Sequence, residues 1–148
     1  MQSTKQKFII FKADYSLALP VHSVLKVIHT PLSEETINTG LIHTEKYTIT
    51  IVNLDEKLAV AEIPQTNIYN FIIFAQSTTG ELIAIPVREP PDLIELADEN
   101  IRALPQSYFN KVLLKISTNV GVISEQTTIF ILNVDQILSL VSESDRDR

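Results

Sequence analysis

Three histidines are the side chains of this 148-residue sequence best suited to binding a metal ion: His22, His29 and His43. Zinc sites in proteins combine histidines with cysteines, or place two histidines four residues apart on a helix. No two of these histidines have that spacing, and the sequence contains no cysteine. We therefore expect no metal site, and we expect His22 and His29 to be half exposed or hydrogen-bonded locally.

Other groups capable of catalysis are equally isolated. Ser23 and Ser77 lack the glycine-flanked motif and the neighbouring base that activate a serine. The adjacent acids Glu34-Glu35 and Asp98-Glu99 lie in polar segments, where carboxylates are usually solvated. The three glycines are far apart, whereas a phosphate-binding loop needs several together. The sequence therefore predicts no enzyme and no cofactor, and places the activity in binding surfaces.

Composition narrows the cellular setting and the partners. The absence of cysteine favours a reducing compartment, and no apolar run approaches the roughly 20 residues of a membrane helix. The net charge is −6, and the basic residues are scattered rather than clustered. Because nucleic-acid binding depends on clustered lysine and arginine, we expect no nucleic-acid partner. These properties predict a cytoplasmic protein without direct membrane insertion.

Short β-branched runs, separated by polar or proline-containing turns, predict an all-β fold of one domain. Two short helices are expected after Asn53 and after Asn133, because an asparagine side chain can cap a first helical turn. The predicted strands are Phe8 to Lys12, Tyr15 to Leu19, Val24 to His29, Tyr47 to Val52, Tyr69 to Ala75, Leu82 to Val87, Val112 to Ser117, Gly121 to Glu125 and Thr128 to Leu132.

Three sequence blocks recur in the same order. Phe8-Ile-Ile-Phe11 returns at an offset of 63, Leu17-Ala-Leu-Pro-Val21 at an offset of 66, and Thr48-Ile-Thr-Ile-Val-Asn-Leu-Asp55 at an offset of 80. Two copies are too few for a solenoid, which needs about three stacked repeats. The recurrence predicts two related β subdomains in which the two Phe-Ile-Ile-Phe strands are equivalent.

The order of these blocks resembles the CheW-like domain family. The resemblance is carried by the Ala-Leu-Pro-Val turn, Val24 to Val27, Gly40 to Ile42, Ile83 to Val87, and Ile129 to Leu138, and it spans residues 8 to 141. It implies two small five-stranded β-barrels packed together, with short helices. We expect residues 1–7 and 142–148 to form polar tails on either side of this domain.

The resemblance also implies partners. CheW-like domains join the regulatory domain of a chemotaxis-type histidine kinase to chemoreceptor cytoplasmic tips, and associate with other CheW-like domains in arrays. The expected role is thus an adaptor in a chemotaxis-, phototaxis- or motility-like pathway, recruited to membrane-associated receptor arrays. The sequence departs from the family where an Asn-Leu-Arg-Gly segment is usual, since it has His43, Thr44, Glu45 and Lys46 there. The identity of the partner is therefore open.

The resemblance places the protein-interaction surface on two segments. An alternative is that the apolar members are core residues and the charged ones merely solvated. Two other functions also stay open: an assembly subunit that has lost kinase and receptor coupling, and a small-ligand-binding barrel. The candidate residues are Val24, Lys26, Val27, Gly40, Leu41, Ile42, His43, Glu45 and Lys46.

Overall fold

The computed structural model describes residues 4–13, 15–58 and 69–146, and this part of the chain is mostly β-structure. Its strands are β1 (Lys5–Ala13), β2 (Tyr15–Pro20), β3 (Val24–Leu32), β4 (Leu41–His43), β5 (Thr48–Ile51), β6 (Tyr69–Gln76), β7 (Leu82–Val87), β8 (Asp92–Ala97), β9 (Ile101–Ala103), β10 (Ser117–Ser124) and β11 (Thr127–Leu132). Its α-helices are α1 (Glu34–Thr39), α2 (Leu54–Leu58), α3 (Lys111–Ile116) and α4 (Val134–Arg146). One-turn 3₁₀ helices span Val21–Ser23 and Asp98–Asn100.

The strands form two sheets of closely related topology. The first has six strands in the order β8-β1-β2-β11-β10-β9, and the second has five in the order β3-β6-β7-β5-β4. In both sheets the antiparallel hairpin that opens one half of the sequence, β1-β2 or β6-β7, pairs in parallel with the last strand of the other half, β11 or β5. The sequence therefore correctly predicted two related halves. The short strand β9 makes the first sheet six-stranded, whereas the sequence analysis predicted five strands in each of two barrels.

Strand exchange links the two sheets. β3 follows β2 along the chain but pairs with β6 of the second sheet, and β8 follows β7 but pairs with β1 of the first. The chain crosses between the sheets at the 3₁₀ helix Val21–Ser23 and again at Arg88 to Pro91. Neither half of the sequence thus completes a sheet alone, so the two sheets form one interdependent unit.

The register of the strands confirms the second and third repeat blocks residue by residue. Phe130 of β11 lies opposite Leu17 of β2, and Thr50 of β5 lies opposite Ile83 of β7. These pairs are related by the offsets of 66 and 80 that relate the sequence blocks. The two parallel pairings are therefore equivalent in the two halves.

The first repeat block is confirmed as a pair of equivalent strands, but its alignment is wrong by one residue. Phe8 lies opposite Pro20, whereas the residue opposite Pro86 is Ile72 rather than Phe71. Phe8 and Ile72 are accordingly both buried among the side chains enclosed by their own sheets. The structural offset of β6 from β1 is thus 64.

Three apolar clusters hold together the part of the chain that the structure describes. One lies within the first sheet and contains Phe8, Ala18, Leu96 and Ile129. A second lies within the five-stranded sheet and contains Ile49, Ile51, Ile72, Phe74 and Ala84. The third and largest packs the facing sides of both sheets against α2, α3 and α4, with Leu17, Ile73, Ile85, Leu113 and Ile137 fully buried. Each such side chain stabilises the fold by about 1.5–3 kcal/mol through burial.

The two helices predicted after asparagines are confirmed, and one predicted strand is wrong. Asn53 Oδ1 accepts a hydrogen bond from Glu56 N (3.3 Å), and Asn133 Oδ1 accepts one from Gln136 N (3.1 Å). The predicted strand Val112 to Ser117 is mostly helix α3. Asn110 caps that helix by accepting from Leu113 N (3.0 Å), which favours a helical turn over an extended strand.

Regular structure continues beyond both ends of the predicted domain, since β1 begins at Lys5 and α4 ends at Arg146. The domain boundaries at residues 8 and 141 stay a prediction.

Contact between Leu96 and Gly121 shows how tightly the first sheet curls. A Cβ atom added to Gly121 of β10 would lie 2.5 Å from Leu96 Cδ1 of β8, near the opposite edge of the sheet. We expect Gly121→Ala to lower the free energy of unfolding by about 1–2 kcal/mol through overpacking. In a Leu96→Ala background the same substitution should cost almost nothing, because the clashing methyl group is gone.

Urea unfolding of wild type, the two single variants and the double variant measures the coupling directly. An equal cost of Gly121→Ala in both backgrounds would show that Leu96 does not limit the space at this position.

A buried carboxylate fastens α2 to the second crossing between the sheets. Asp55 Oδ2 accepts hydrogen bonds from Tyr69 Oη (2.9 Å), Arg88 Nη2 (2.6 Å) and Arg88 Nε (3.1 Å). Burial raises the pKa of Tyr69, and its hydrogen bond to Asp55 raises it further. Burial has the largest single effect on Arg88 and lowers its pKa, but the hydrogen bond and the charge of Asp55, with a smaller contribution from Tyr69, together outweigh it and the pKa of Arg88 is raised. The chain is thus anchored by an ion pair where it leaves β7.

Candidate functional site

The nine residues predicted to contact partners occupy the two outer strands of the five-stranded sheet and the turns beside them. One group lies on β3 and contains Val24, Lys26 and Val27. The other lies around the β4-β5 hairpin and contains Gly40, Leu41, Ile42, His43, Glu45 and Lys46. Helix α1 connects the two groups. Ile28 and Leu32 of β3 pack on the same apolar cluster as Ile42 of β4, so both outer strands curl toward one interior.

The β3 group presents apolar side chains at a sheet edge. Among the described strands β3 has one neighbour, β6, and the pairing is irregular between Val24 and Lys26. Leu25 lies at this bulge with 55% of its surface exposed, and Val27 is 39% exposed. Val24 is half buried and packs on the central core. An edge strand with exposed apolar residues is a surface on which another protein can dock.

Leu25 is absent from the residues predicted from sequence. A regular strand would place it on the side opposite Val24, and nothing in the alternation of residue types marks a bulge here. Its exposure is therefore visible only in the structure.

Aromatic rings of β6 hold the polar side chains of β3 in place. Lys26 Nζ lies 5.3 Å from the ring centroid of Phe74, and the imidazole of His29 stacks on Phe71 with centroids 4.5 Å apart. A cation over an aromatic face contributes about 0.5–1 kcal/mol at an exposed site. Lys26 and His29 are thus exposed but held in one orientation. Their side chains therefore lose less conformational entropy when a partner binds.

A cleft adjoins β3 at the first crossing between the sheets. It measures about 240 Å³ and is lined by residues of three segments: Pro20, His22, Ser23, Gln76, Ser77, Thr78, Leu132, Asn133, Val134 and Asp135. One wall is fixed by Asp135, whose carboxylate accepts hydrogen bonds from Thr78 N (3.1 Å) and Thr78 Oγ1 (3.0 Å). Small-molecule pockets usually measure about 300–1,000 Å³, so this cleft fits a side chain of a protein partner better.

The β4-β5 hairpin forms the second exposed group. Gly40 ends α1 with a φ of 74°, a left-handed conformation that glycine adopts without strain. Leu41 follows with 38% of its surface exposed, while Ile42 is half buried in the interior of the sheet. His43 Nδ1 lies 3.2 Å from Thr48 Oγ1 across the hairpin. The strand therefore presents Leu41 and His43 outward and uses Ile42 for packing.

The turn of this hairpin is closed by its own hydrogen bonds. Thr44 N donates to Tyr47 O (2.8 Å), and Tyr47 N donates to Thr44 Oγ1 (3.0 Å). Glu45 and Lys46 lie at the exposed tip, and Tyr47 is 57% exposed. Exposed tyrosines are common energetic centres of protein interfaces. Tyr47 therefore joins the candidate surface, although the sequence analysis placed it inside a predicted strand.

The alternative assignment as core residues holds for two members of the list and not for others. Val24 packs on the central core and Ile42 inside the sheet, whereas Val27 and Leu41 are more than a third exposed. Lys26, Glu45 and Lys46 are exposed, as both interpretations require. The interface role of all nine residues stays a prediction.

The residues first considered for catalysis lie in different parts of the fold and have separate local roles. Glu34 and Glu35 form the exposed first turn of α1, and Asp98 accepts a hydrogen bond from Gln6 Nε2 (2.9 Å). Ser77 is buried and bonds to its own turn. Within residues 4–13, 15–58 and 69–146, no three histidine, aspartate or glutamate side chains are grouped as metal ligands. Over the same ranges, no helix has the length and apolarity to cross a membrane.

The fold consists of two β-sheets that exchange strands, with helices packed between them and with exposed outer strands. It belongs to the mostly β class, and its candidate site is an exposed surface. The structure is similar to the crystal structure of the scaffolding protein TtCheW from Thermoanaerobacter tengcongensis. The TM-score is 0.67 and the sequence identity 16%, and the match covers 88% of this chain and 90% of that one. The chain therefore has a CheW-like fold. No protein-family model matches the sequence, and no curated protein matches it either.

Proposed function

We propose that this protein is a non-catalytic adaptor that couples a chemotaxis-type histidine kinase to receptors in a chemotaxis-, phototaxis- or motility-like pathway. The observation that carries the proposal is the fold, which is similar over most of both chains to that of a scaffolding protein. The surfaces agree with it, because the outer strand β3 and the β4-β5 hairpin expose Leu25, Val27, Leu41 and Tyr47. Its setting is the cytoplasm, with recruitment to membrane-associated receptor arrays.

The proposed partners are the regulatory domain of the kinase, the cytoplasmic tip of a receptor or its divergent equivalent, and other CheW-like domains. The kinase domain is assigned to the β3 group, where an edge strand and apolar side chains suit another β-rich domain. Standard receptor tips should bind poorly, because Glu45 presents only hydrogen-bond acceptors where the related domains commonly have the donors of an arginine.

Isothermal titration calorimetry of the protein with the regulatory domains of chemotaxis-type kinases from the same organism tests the coupling role. We expect weak to moderate affinity, since interfaces of this type are small and gain strength from multivalency in arrays. If none of these domains binds or co-elutes, the assembly-subunit function replaces the coupling function.

Glu45→Arg tests the hairpin tip. If the native receptor-like partner presents a basic or donor-rich patch to Glu45 in a desolvated contact, the substitution should weaken the complex by about 1–3 kcal/mol. The loss should shrink at high salt, because salt screens charges at the interface. The matched control is Glu34→Arg on α1, an exposed charge outside both groups, which should leave the affinity unchanged.

The measurement is the affinity of the native partner for wild type, Glu45→Arg and Glu34→Arg at low and high salt. An affinity of Glu45→Arg equal to wild type at both salt concentrations would show that the hairpin tip is merely solvated.

A further inference from the structure

Phe109 has the most exposed large apolar side chain among those the structure describes, with 69% of its surface accessible. It lies in the loop between β9 and α3, which belongs to the six-stranded sheet and lies outside both groups of candidate residues. An exposed phenylalanine adds nothing to the core, so its position there invites a functional explanation.

The side chain is exposed on a rigid support. Its ring packs on Tyr108 with centroids 4.8 Å apart, and Tyr108 packs on Phe130, which is 7% exposed, at 5.4 Å. Tyr15 extends this series of rings by an edge-to-face contact with Phe130, with ring centroids 5.4 Å apart. A continuous series of aromatic rings thus leads from the core to the surface.

Hydrogen bonds hold the residues on both sides of Phe109. Asn110 Nδ2 donates to Tyr15 Oη (3.2 Å), Lys111 Nζ donates to Tyr108 O (3.0 Å), and Tyr108 N donates to Pro105 O (3.0 Å). An aromatic side chain held in this way loses little conformational entropy on binding, which is characteristic of interface residues that contribute most of the affinity.

Comparison of the two halves shows that this exposure is not a requirement of the fold. Ser33 caps α1 and Asn110 caps α3, and in each case the residue before the cap is apolar, Leu32 or Phe109. Leu32 packs against the interior of the five-stranded sheet. The apolar residue at this position turns inward in the first half and outward in the second.

The charges of the sequence segment that contains Phe109 indicate what binds there. Residues 100–124 contain Arg102, Lys111 and Lys115 and no aspartate or glutamate, although the chain as a whole carries a net charge of −6. Arg102 and Lys111 are exposed, and Lys111 Nζ is held beside the aromatic pair by its hydrogen bond to the backbone carbonyl of Tyr108. A partner complementary to this surface is negatively charged and supplies an apolar side chain to pack on the ring.

We propose that Tyr108, Phe109 and Lys111 form a docking site for an acidic segment of a partner protein that carries an apolar anchor residue. The site lies on the six-stranded sheet, whereas the surface assigned to the kinase lies on the five-stranded sheet. The two sites can therefore be occupied together, and each can be disabled without the other.

Nuclear magnetic resonance titration of the full-length protein tests the site with a short synthetic peptide in which two adjacent leucines are flanked by glutamates. Amide shifts should be confined to residues near 106–112. Phe109→Ala should weaken binding at least tenfold, and Lys111→Glu should do so with a loss that shrinks at high salt. The control Ile123→Ala removes another exposed apolar side chain, on β10, and should leave binding unchanged.

Two further peptides test whether binding needs the acidic and the apolar residues, and sedimentation tests whether the protein associates with itself. Replacing the glutamates by lysines, or the leucines by glycines, should abolish binding. The absence of shifts at millimolar peptide, equal binding of the lysine peptide, or unchanged affinity of Phe109→Ala would each overturn the proposal. Self-association that Phe109→Ala abolishes would assign the surface to a second copy and would overturn it too. Kinase binding should be the same in Phe109→Ala as in wild type, which separates this site from the proposed adaptor function.

Discussion

Replacing Leu25 and Val27 together by aspartate should weaken binding of the kinase regulatory domain about 30-fold or more, equivalent to roughly 2 kcal/mol. Both side chains are exposed on the outer strand β3, and the bulge at Leu25 directs it away from the core. A partner that buries them would have to desolvate two carboxylates in the variant, which costs far more than the lost apolar contact alone.

Ile123→Asp provides the matched control, because Ile123 is similarly exposed (52%) but lies on β10 of the other sheet. Calorimetric titration of the three proteins, with thermal unfolding to verify that each is folded, separates an interface effect from a stability effect. Kinase binding that survives the double substitution would remove β3 from the interface and leave the β4-β5 hairpin as its only candidate.

Arg88→Met should destabilise the protein by about 2–3 kcal/mol and lower its melting temperature by about 5–10 °C. The side chain of Asp55 is 6% exposed, and the substitution leaves its charge with Tyr69 as a hydrogen-bond donor but without a cation. Because the side chain of Arg88 is itself 37% exposed, the expected loss is smaller than for a fully buried pair.

The triple variant Asp55→Leu, Tyr69→Phe, Arg88→Met removes the carboxylate, the phenol hydroxyl and the guanidinium of this network. Since apolar residues of similar volume often replace a buried ion pair without loss, it should melt within a few degrees of wild type. Scanning calorimetry of both variants measures the difference. A single variant that melts like wild type would mean that water replaces Arg88 at the carboxylate.

The sequence predicted most of the strands and the relation between the halves because equivalent positions make equivalent contacts. Leu17 and Ile83 each face the parallel strand at the same register, and selection for that pairing leaves similar residues in both halves. The alignment of β1 with β6 was wrong by one residue for a physical reason. Both strands are buried on two faces, so a run such as Phe8-Ile-Ile-Phe11 lacks the alternation that sets register.

Helix α3 and the bulge in β3 escaped prediction because local sequence does not determine them. Six apolar and basic residues after Asn110 are compatible with a strand or with one and a half helical turns, and the capping hydrogen bond and the packing of Leu113 decide between the two. The exposure of Leu25 depends on how β3 pairs with β6. Those residues of the candidate surface that the sequence missed are therefore ones whose exposure follows from tertiary structure.

Strand exchange between the sheets also has a consequence for how the chain reaches its native state. β1 pairs with β8, and β2 pairs with β11. Lys5 therefore lies opposite Ala97, and Leu17 lies opposite Phe130, although each pair is far apart in the sequence. Closing loops of this length costs entropy before the contacts return any stabilisation, and proteins dominated by such contacts fold in milliseconds to seconds rather than microseconds. During synthesis, the first strands to leave the ribosome are among those that must wait for the last. Until then, the edges of β1 and β2 are open to pairing with other chains.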